Sequence, residues 1–230
     1  MTVVETFKDW LTIVDKNLLL STIKQIPLNK PFCPSIDNVF KAFQLCSLQD
    51  CKAVMLGQDP YPQKDVATGI LFGNSANTKE EDLSPSLKVV KNAAIDYKVS
   101  HNYPIEFDNT LESWAKQGIL MLNSALTVEQ NKVGSHTMIW RPFISDLLTR
   151  LSQYDKGIVF VLFGEQAQTF TPYIKANIIF KEKHPAYYAR TNKNLSSELF
   201  NQINNAIFAQ YGERIIWYKD YNMFDYEQED

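Results

Sequence analysis

The amino-acid sequence predicts a three-layer α/β fold, in which a parallel sheet lies between layers of helices. The first observation is a set of short apolar runs without alternating polar residues, at 53–56, 119–122, 158–163 and 177–180. Such runs are typical of strands buried on both faces of a parallel sheet. The second observation is that the segments between the runs are long enough for the helical crossovers that parallel strands require.

Helical patterning accounts for most of the chain between and around these runs. Apolar residues recur at helical spacing at about 3–24, 36–45, 84–98, 108–117, 140–153 and 195–210. Ser35 or Asp37 is suited to cap the second of these helices. No internal repeat or Gly/Ser linker divides the chain. We therefore expect one domain over 1–224, followed by an acidic tail at 225–230.

Composition suits an ordinary globular domain, since 45% of the 230 residues are hydrophobic. No apolar run approaches the roughly 20 residues of a membrane helix, and no secretory leader is visible, so we expect a cytoplasmic chain without membrane contact. The cysteines, Cys33, Cys46 and Cys51, match no metal-ligand spacing. We interpret them as reduced, buried thiols.

The distribution of charge indicates that only a small part of the surface is suited to bind a polyanion. The formal net charge is −3, but the last six residues hold four acids, so the rest of the chain is nearly neutral. Cations concentrate in the segment 181–193, which holds Lys181, Lys183, Arg190 and Lys193, and His184 if it is protonated. We expect any contact with a nucleic acid to lie there and to have a small footprint.

Polar residues follow each of the apolar runs. Asp59 and Tyr61 follow the first run, Asn123 the second, Gly164 with Glu165 the third, and His184, after a short charged spacer, the fourth. Each could be an ordinary turn or surface residue when taken alone. Because ligands bind at the carboxyl ends of strands in such sheets, their recurrence at successive strand ends favours a functional site.

The residue types restrict the chemistry of this site. The sequence contains no nucleophile elbow, phosphate-binding loop, dinucleotide fingerprint or zinc-ligand pattern, and the adjacent Ser135 and His136 do not make a nucleophile and base. An acid, an amide and an imidazole remain, with aromatic side chains such as Phe72 nearby. This set suits cleavage of a bond between a sugar and a heterocycle, whose transition state is positive on the sugar and negative on the departing base.

Several motifs of this chain, in order, resemble those of the family I uracil-DNA glycosylases. They are GQDPYP, ATGILFGNS, LSPSL, LESWAKQGILMLNSALTV, GSHTMIW, FGEQAQ and KHPA. The resemblance also includes IDNVFKAFQ, so it covers roughly 30–190, and IIW at 215–217 is similar to a short Ile-x-Trp segment near the end of the family's chains. It implies a central four-stranded parallel sheet flanked by helices.

The resemblance also implies an activity and its catalytic residues. The expected enzyme is a monofunctional glycosylase of base excision repair, which hydrolyses the N-glycosidic bond of uracil in DNA, releases uracil and leaves an abasic site. Asp59 would position the attacking water and stabilise the oxocarbenium-like sugar, and His184 would donate to uracil O2. Such a pocket acts on an extruded base, and the family implies no metal or organic cofactor.

Further roles follow from the resemblance alone. Gln58 would contribute its backbone to the pocket floor, Tyr61 would exclude the methyl group of thymine, Phe72 would stack on uracil, and Asn123 would read its amide edge. The expected DNA contacts are Ser84, Pro85, Ser86, Gly164, Pro185, Ala186, Tyr187, Tyr188 and Arg190. The expected partners are uracil-containing DNA, single- or double-stranded, and a protein inhibitor that mimics DNA; we expect a monomer.

The sequence departs from the family's usual pattern at three positions. Pro62 replaces a histidine near the water, which changes the rate or its pH dependence but leaves the acid. Glu165 replaces a phosphate-contacting serine, so it either opposes DNA or is a solvated side chain on a first helical turn. Tyr188 replaces a leucine that fills the gap left by the base, so it is either a working wedge or a mobile surface aromatic.

These departures keep other functions open. A DNA-binding module without activity is favoured slightly by Glu165 and by the neutral body of the protein, whereas Asp59, Asn123 and His184 together favour catalysis strongly. A glycosylase for another base is disfavoured by Tyr61 and Asn123, and a small-molecule α/β hydrolase lacks a placed nucleophile.

Overall fold

The computed structural model describes residues 6–96 and 104–220, so the predicted acidic tail at 225–230 lies outside them. The strands in these residues are β1 (Phe32–Cys33), β2 (Ala53–Gly57), β3 (Ile105–Glu106), β4 (Ile119–Asn123), β5 (Val128–Glu129), β6 (Val159–Phe163), β7 (Ile178–Glu182) and β8 (Lys219–Asp220). The α-helices are α1 (Lys16–Ile23), α2 (Lys41–Leu45), α3 (Pro85–Ile95), α4 (Glu112–Lys116), α5 (Thr137–Tyr154), α6 (Gly164–Gln168), α7 (Pro185–Thr191) and α8 (Glu198–Tyr211). Short 3₁₀ helices occur at Lys8–Thr12, Ile36–Asn38, Glu80–Asp82 and Thr171–Tyr173.

The four predicted apolar runs form one four-stranded parallel sheet, in the order β4-β2-β6-β7, with helices flanking it. This confirms the predicted fold class. The register pairs Gly57 at the end of β2 with Asn123 at the end of β4. Two-residue antiparallel pairs, β1 with β5 and β3 with β8, were not predicted from the sequence.

Burial differs between the central strands and the edge. Every residue of β2, β4 and β6 is buried, as uniformly apolar runs predict. The expectation that the fourth run is also buried on both faces is wrong, because β7 is only half-buried. It is an edge strand with a neighbour on one side, β6.

The helices follow the sequence pattern where they are long. The patterns at 84–98, 140–153 and 195–210 correspond to α3, α5 and α8. The single helix expected at 3–24 is interrupted, because Asp15 caps a new helix by accepting hydrogen bonds from the backbone N–H groups of Asn17 and Leu18. The short helices α6 and α7 carry too few turns to show periodicity; a helix beginning near Glu165 was one of the sequence alternatives, and α7 was not predicted.

The core is closed by aromatic residues from distant parts of the chain. Trp114 and Trp217 are fully buried, and their rings pack edge to face with centroids 4.9 Å apart. The Trp114 indole N–H also donates to the Trp217 carbonyl oxygen at 2.9 Å. The three cysteines are buried free thiols, as predicted. Among the described helices, none has the length and apolar character needed to cross a membrane.

Candidate active site

The carboxyl ends of the central strands open into a cavity of about 290 Å³. Its lining includes most of the residues singled out in the sequence, namely Gln58, Asp59, Tyr61, Phe72, Ser86, Asn123, His184, Ala186 and Arg190. Ser84, Pro85, Gly164, Pro185, Tyr187 and Tyr188 are not part of the lining. The polar residues at the ends of β2, β4 and β7 therefore converge, as the parallel topology requires.

Gly57 and its paired residue shape the wall between β2 and β4. A Cβ atom at Gly57 would lie 3.3 Å from Oδ1 of Asn123 and would overlap the side chain of Leu71. The backbone of β2 therefore approaches Asn123 more closely than any larger residue allows. Beyond Gly57, Pro60 and Pro62 restrict the backbone on each side of Tyr61.

Asp59 is held by hydrogen bonds from two directions. Its Oδ2 accepts from the backbone N–H of Gly134 at 2.6 Å and from Nε2 of Gln58 at 3.1 Å. The Thr137 hydroxyl lies 3.5 Å from Oδ1, at the limit of a hydrogen bond. Burial raises the pKa of Asp59 above its usual value, and the hydrogen bonds from Gly134, Gln58 and Thr137 act in the opposite direction.

The Asn123 amide is buried and has no hydrogen-bond partner for its Oδ1 among the described residues. Burying such an acceptor without a partner is costly. The amide carries both an acceptor, Oδ1, and a donor, Nδ2, so it can pair with one edge of a flat ring. A half-turn of the terminal torsion exchanges the positions of the two atoms.

Phe72 is fixed in an uncommon backbone conformation. Its φ is +63°, in the left-handed region that bulky residues avoid. Its ring packs edge to face with Phe163 and with His184, at centroid distances of 5.3 and 5.5 Å. The hydroxyl of Tyr61 donates to the Phe72 carbonyl oxygen at 3.1 Å. Burial raises the pKa of Tyr61 well above its usual value, so this hydroxyl stays protonated.

His184 is the N-cap of α7, and its Nδ1 accepts from the backbone N–H of Ala186 at 3.2 Å. Because Nδ1 is an acceptor, the proton of the neutral ring is on Nε2. Burial, with a smaller effect of the Arg190 charge, lowers the pKa of His184 to about 4. The ring is therefore neutral near pH 7, and it does not add to the cations of the basic segment at 181–193.

Most of the predicted DNA-contacting residues lie at the starts of two packed helices at the rim, whereas Gly164 begins α6. Ser84 and Pro85 begin α3, and the buried Ser84 exchanges two hydrogen bonds with Asn74, at 2.8 and 2.9 Å. Helix α3 packs against α7, which carries Pro185, Ala186 and Arg190. The two segments therefore form one continuous edge beside the cavity.

The segments that hold two of the departures, Glu165 and Tyr188, have distinct surroundings. Gly164 has φ of +85°, and a Cβ there would lie 3.0 Å from Cβ of His184. Glu165 is exposed on the first turn of α6, as the solvated alternative requires. Tyr188 is half-buried against the core, and its hydroxyl donates to Oε1 of Glu182 at 2.5 Å, so it is not a mobile surface aromatic in this conformation. Lys183 lies over the ring of Tyr187, with Nζ 4.2 Å from the centroid.

Sequence reasoning missed the loop that supports Asp59. Gly134 and Thr137 lie 75 and 78 residues away in the chain, and only the motif GSHTMIW drew attention to this segment. Ser135 and His136 form no catalytic pair: the Ser135 hydroxyl accepts from the backbone of Glu129, and the buried His136 contacts Thr127 through Nδ1. Within 6–96 and 104–220, no group of three or more acidic, His or Cys side chains could hold a metal ion.

Comparison with known proteins gives one consistent result. Residues 43–208 match the model of the Uracil DNA glycosylase superfamily. The Uracil-DNA glycosylase of Vibrio vulnificus is 34% identical over 192 residues, which is 82% of each chain. That of Buchnera aphidicola is 33% identical over 204 residues, which is 87% of this chain and 90% of the relative.

Solved structures share the same architecture. The mimivirus uracil-DNA glycosylase aligns with a TM-score of 0.72 at 21% identity, covering 94% of this chain and 93% of that one. A variant of the mimivirus enzyme, solved in complex with UGI, aligns with a TM-score of 0.71 at 21% identity, covering 93% and 92% of the two chains.

Proposed function

The chain belongs to the uracil DNA glycosylase superfamily, and we propose on this basis that it hydrolyses the N-glycosidic bond of uracil in DNA. The products are free uracil and an abasic site. The enzyme is a hydrolase acting on N-glycosyl bonds, with water as the second substrate, and the reaction is the first step of base excision repair.

The buried Asn123 amide is the observation that carries this proposal. Uracil presents an N–H donor and a carbonyl acceptor side by side, and both can be satisfied by this amide, whose Oδ1 has no partner among the described residues. Cytosine presents an acceptor and an amine at the same two positions. Binding cytosine would leave buried polar groups mismatched, at a cost of about 1–3 kcal/mol for each.

Tyr61 and Phe72 complete the pocket for a flat ring. The Phe72 ring stacks on uracil, and its orientation is supported by the rings of Phe163 and His184. Tyr61 excludes the methyl group of thymine. The prolines on both sides restrict its backbone, so the ring cannot move aside easily. The backbone of Gln58 supports the floor, because its carbonyl accepts from the backbone N–H of Ala125 at 2.9 Å and from the Ser124 hydroxyl at 3.0 Å.

Asp59 orients the attacking water and stabilises the positive sugar. Its Oδ2 is occupied by the hydrogen bonds from Gly134 and Gln58, which fix the plane of the carboxylate. The Thr137 hydroxyl lies 3.5 Å from Oδ1, so Oδ1 remains able to accept a hydrogen bond from water. The ionised carboxylate also lowers the energy of the oxocarbenium-like transition state.

His184 stabilises the departing base as a neutral hydrogen-bond donor. The Ala186 N–H occupies Nδ1, which leaves the Nε2–H to donate to uracil O2 as negative charge develops there. A pKa of about 4 keeps the ring neutral, so it stabilises the uracil anion without protonating it first.

DNA contacts come from the edge formed by α3 and α7. The bond to be cleaved is inaccessible inside a stacked duplex, so the base must be extruded into the cavity. Ser84, Pro85, Ser86 and Gly164 contact the backbone, together with Pro185, Ala186, Tyr187 and Arg190. Tyr188 fills the gap left by the base, which requires it to leave Glu182.

Partners and location follow from the substrate. We expect the protein to act as a monomer in the compartment that contains DNA, which is the cytoplasm in bacteria such as the relatives named above. The mimivirus relative was solved with UGI, and we propose that a DNA-mimicking inhibitor also binds the α3–α7 edge here. The negative charge of Glu165 repels an acidic partner, as it repels phosphate.

The test is incubation with a single-stranded oligonucleotide that carries one uracil. We expect strand scission after alkali, none before alkali, and none when cytosine or thymine replaces uracil. Absence of scission at high enzyme concentration would disprove the glycosylase activity. Scission without alkali would show that the enzyme is not monofunctional.

A further inference from the structure

We propose that the hydroxyl of Tyr61 is a positioning group, which holds the Phe72 backbone in its left-handed conformation and joins it to the start of α3. This inference rests on the proposed function, in which Phe72 stacks on uracil. It assigns to Tyr61 a second role that is separate from the steric exclusion of thymine.

The Phe72 backbone needs such support. A non-glycine residue with φ of +63° is strained, and it persists only where the surroundings determine its conformation. The ring contacts with Phe163 and His184 constrain the side chain but form no hydrogen bond with the backbone. The Tyr61 hydroxyl, 3.1 Å from the Phe72 carbonyl oxygen, constrains the peptide group itself, together with the Gly73 N–H of the same group, which donates to the Ile70 carbonyl oxygen at 3.1 Å.

Tyr61 is well suited to this task because its own position is rigid. Pro60 and Pro62 flank it and restrict the backbone, so the hydroxyl is presented at a fixed place. Since burial keeps the phenol protonated, it remains a donor throughout the neutral pH range.

The same hydroxyl also faces the beginning of α3. Ser86, on the first turn of α3, lines the same cavity as Tyr61, and Ser84, Ser86 and the Leu87 N–H act against burial by lowering the pKa of the phenol. Ser84 and Ser86 belong to the segment proposed to contact the DNA backbone. The Tyr61 hydroxyl therefore lies between the DNA-contacting loop and the carbonyl group that orients the stacking ring.

The substitution Tyr61→Phe removes the hydroxyl and keeps the ring that excludes thymine. We expect the affinity for free uracil, measured as product inhibition and by calorimetry, to fall about 2- to 10-fold, the range of one lost hydrogen bond. Thymine in DNA should remain uncleaved. An affinity equal to that of the unaltered protein would overturn the inference.

Tyr211→Phe is a matched control. The Tyr211 hydroxyl donates to Oδ2 of Asp155 at 2.7 Å. Asp155 lies just before the start of β6, at the amino ends of the strands, whereas the cavity lies at their carboxyl ends. Like Tyr61→Phe, this substitution removes one hydrogen bond of a partly buried tyrosine. We expect it to lower the unfolding temperature without changing the affinity for uracil, whereas a loss of affinity equal to that of Tyr61→Phe would mean that the effect is general destabilisation.

A double-mutant cycle with Phe72→Leu separates a positioning role from direct contact. If the hydroxyl acts through Phe72, Tyr61→Phe should have little further effect once the ring is absent. A full effect in the Phe72→Leu background would show that the hydroxyl contacts uracil itself and would overturn the inference. Failure of the unaltered protein to excise uracil would instead refute the proposed function.

Discussion

Replacement of Asn123 by leucine should stabilise the protein and abolish most of its activity. Oδ1 of Asn123 is buried without a partner among the described residues. Removing such an unsatisfied group is worth about 1–3 kcal/mol in the free energy of unfolding. For a chain of this length, this corresponds to a rise of about 2–12 °C in Tm. The adjacent cavity of about 290 Å³ gives room for the larger side chain.

The same substitution removes two hydrogen bonds to the edge of uracil. At about 1–3 kcal/mol each, their loss lowers kcat/KM by between about 30-fold and about 3 × 10⁴-fold. The assays are thermal unfolding of the ligand-free protein and single-turnover excision from an oligonucleotide that carries one uracil. The two quantities should change in opposite directions, which is unusual for a buried substitution.

Asn204→Leu is the control for this prediction. Asn204 is also buried, but its Oδ1 accepts from the Ile215 N–H at 2.8 Å and its Nδ2 donates to the Ile215 carbonyl at 3.0 Å. Its replacement should therefore lower Tm. If Asn123→Leu also lowered Tm and retained normal excision, the amide would be neither unsatisfied nor used to read uracil.

Three other changes test the remaining roles. Asp59→Asn should lose most turnover while DNA binding, measured by fluorescence anisotropy, survives; full activity would remove its water-positioning role. The excision rate should decrease as the pH is lowered and Asp59 becomes protonated. Thr137→Val removes a hydrogen bond that lowers the pKa of Asp59, so it should move this decrease to higher pH. A shift to lower pH would contradict the assignment. His184 has a pKa of about 4 and stays neutral above pH 5, so its protonation does not contribute to any part of the decrease above pH 5. Glu165→Ser should tighten DNA binding at low salt, with a difference that shrinks as salt screens the charge; identical salt titrations would mean that Glu165 faces away from DNA.

The sheet could be predicted because its signal is local. Each central strand is a continuous apolar run bounded by turn residues, and the parallel topology alone brings Asp59, Asn123 and His184 to one end of the sheet. The exposure of β7 was missed because the apolar run at 177–180 covers only part of this strand, which continues through the charged Lys181 and Glu182.

The parts of the site that could not be predicted depend on contacts distant in the chain. The Gly134 N–H reaches Asp59 across 75 residues through its backbone, so no side chain marks it. The left-handed conformation of Phe72 is equally hidden, since phenylalanine is a poor indicator of positive φ. The hydrogen bond between Tyr188 and Glu182 depends on the geometry of α7, which the sequence did not reveal.

The contact between Trp114 and Trp217 also has a consequence for biosynthesis. The indole N–H of Trp114 reaches its carbonyl partner across 103 residues, and the ring of Trp217 covers it from near the end of the described chain. Because a ribosome makes the chain from its N-terminus, Trp114 emerges long before its partner exists. The hydrophobic core therefore stays open on this side until residue 217 has left the ribosome, and nascent chains that stop earlier expose a buried aromatic surface to chaperones and proteases.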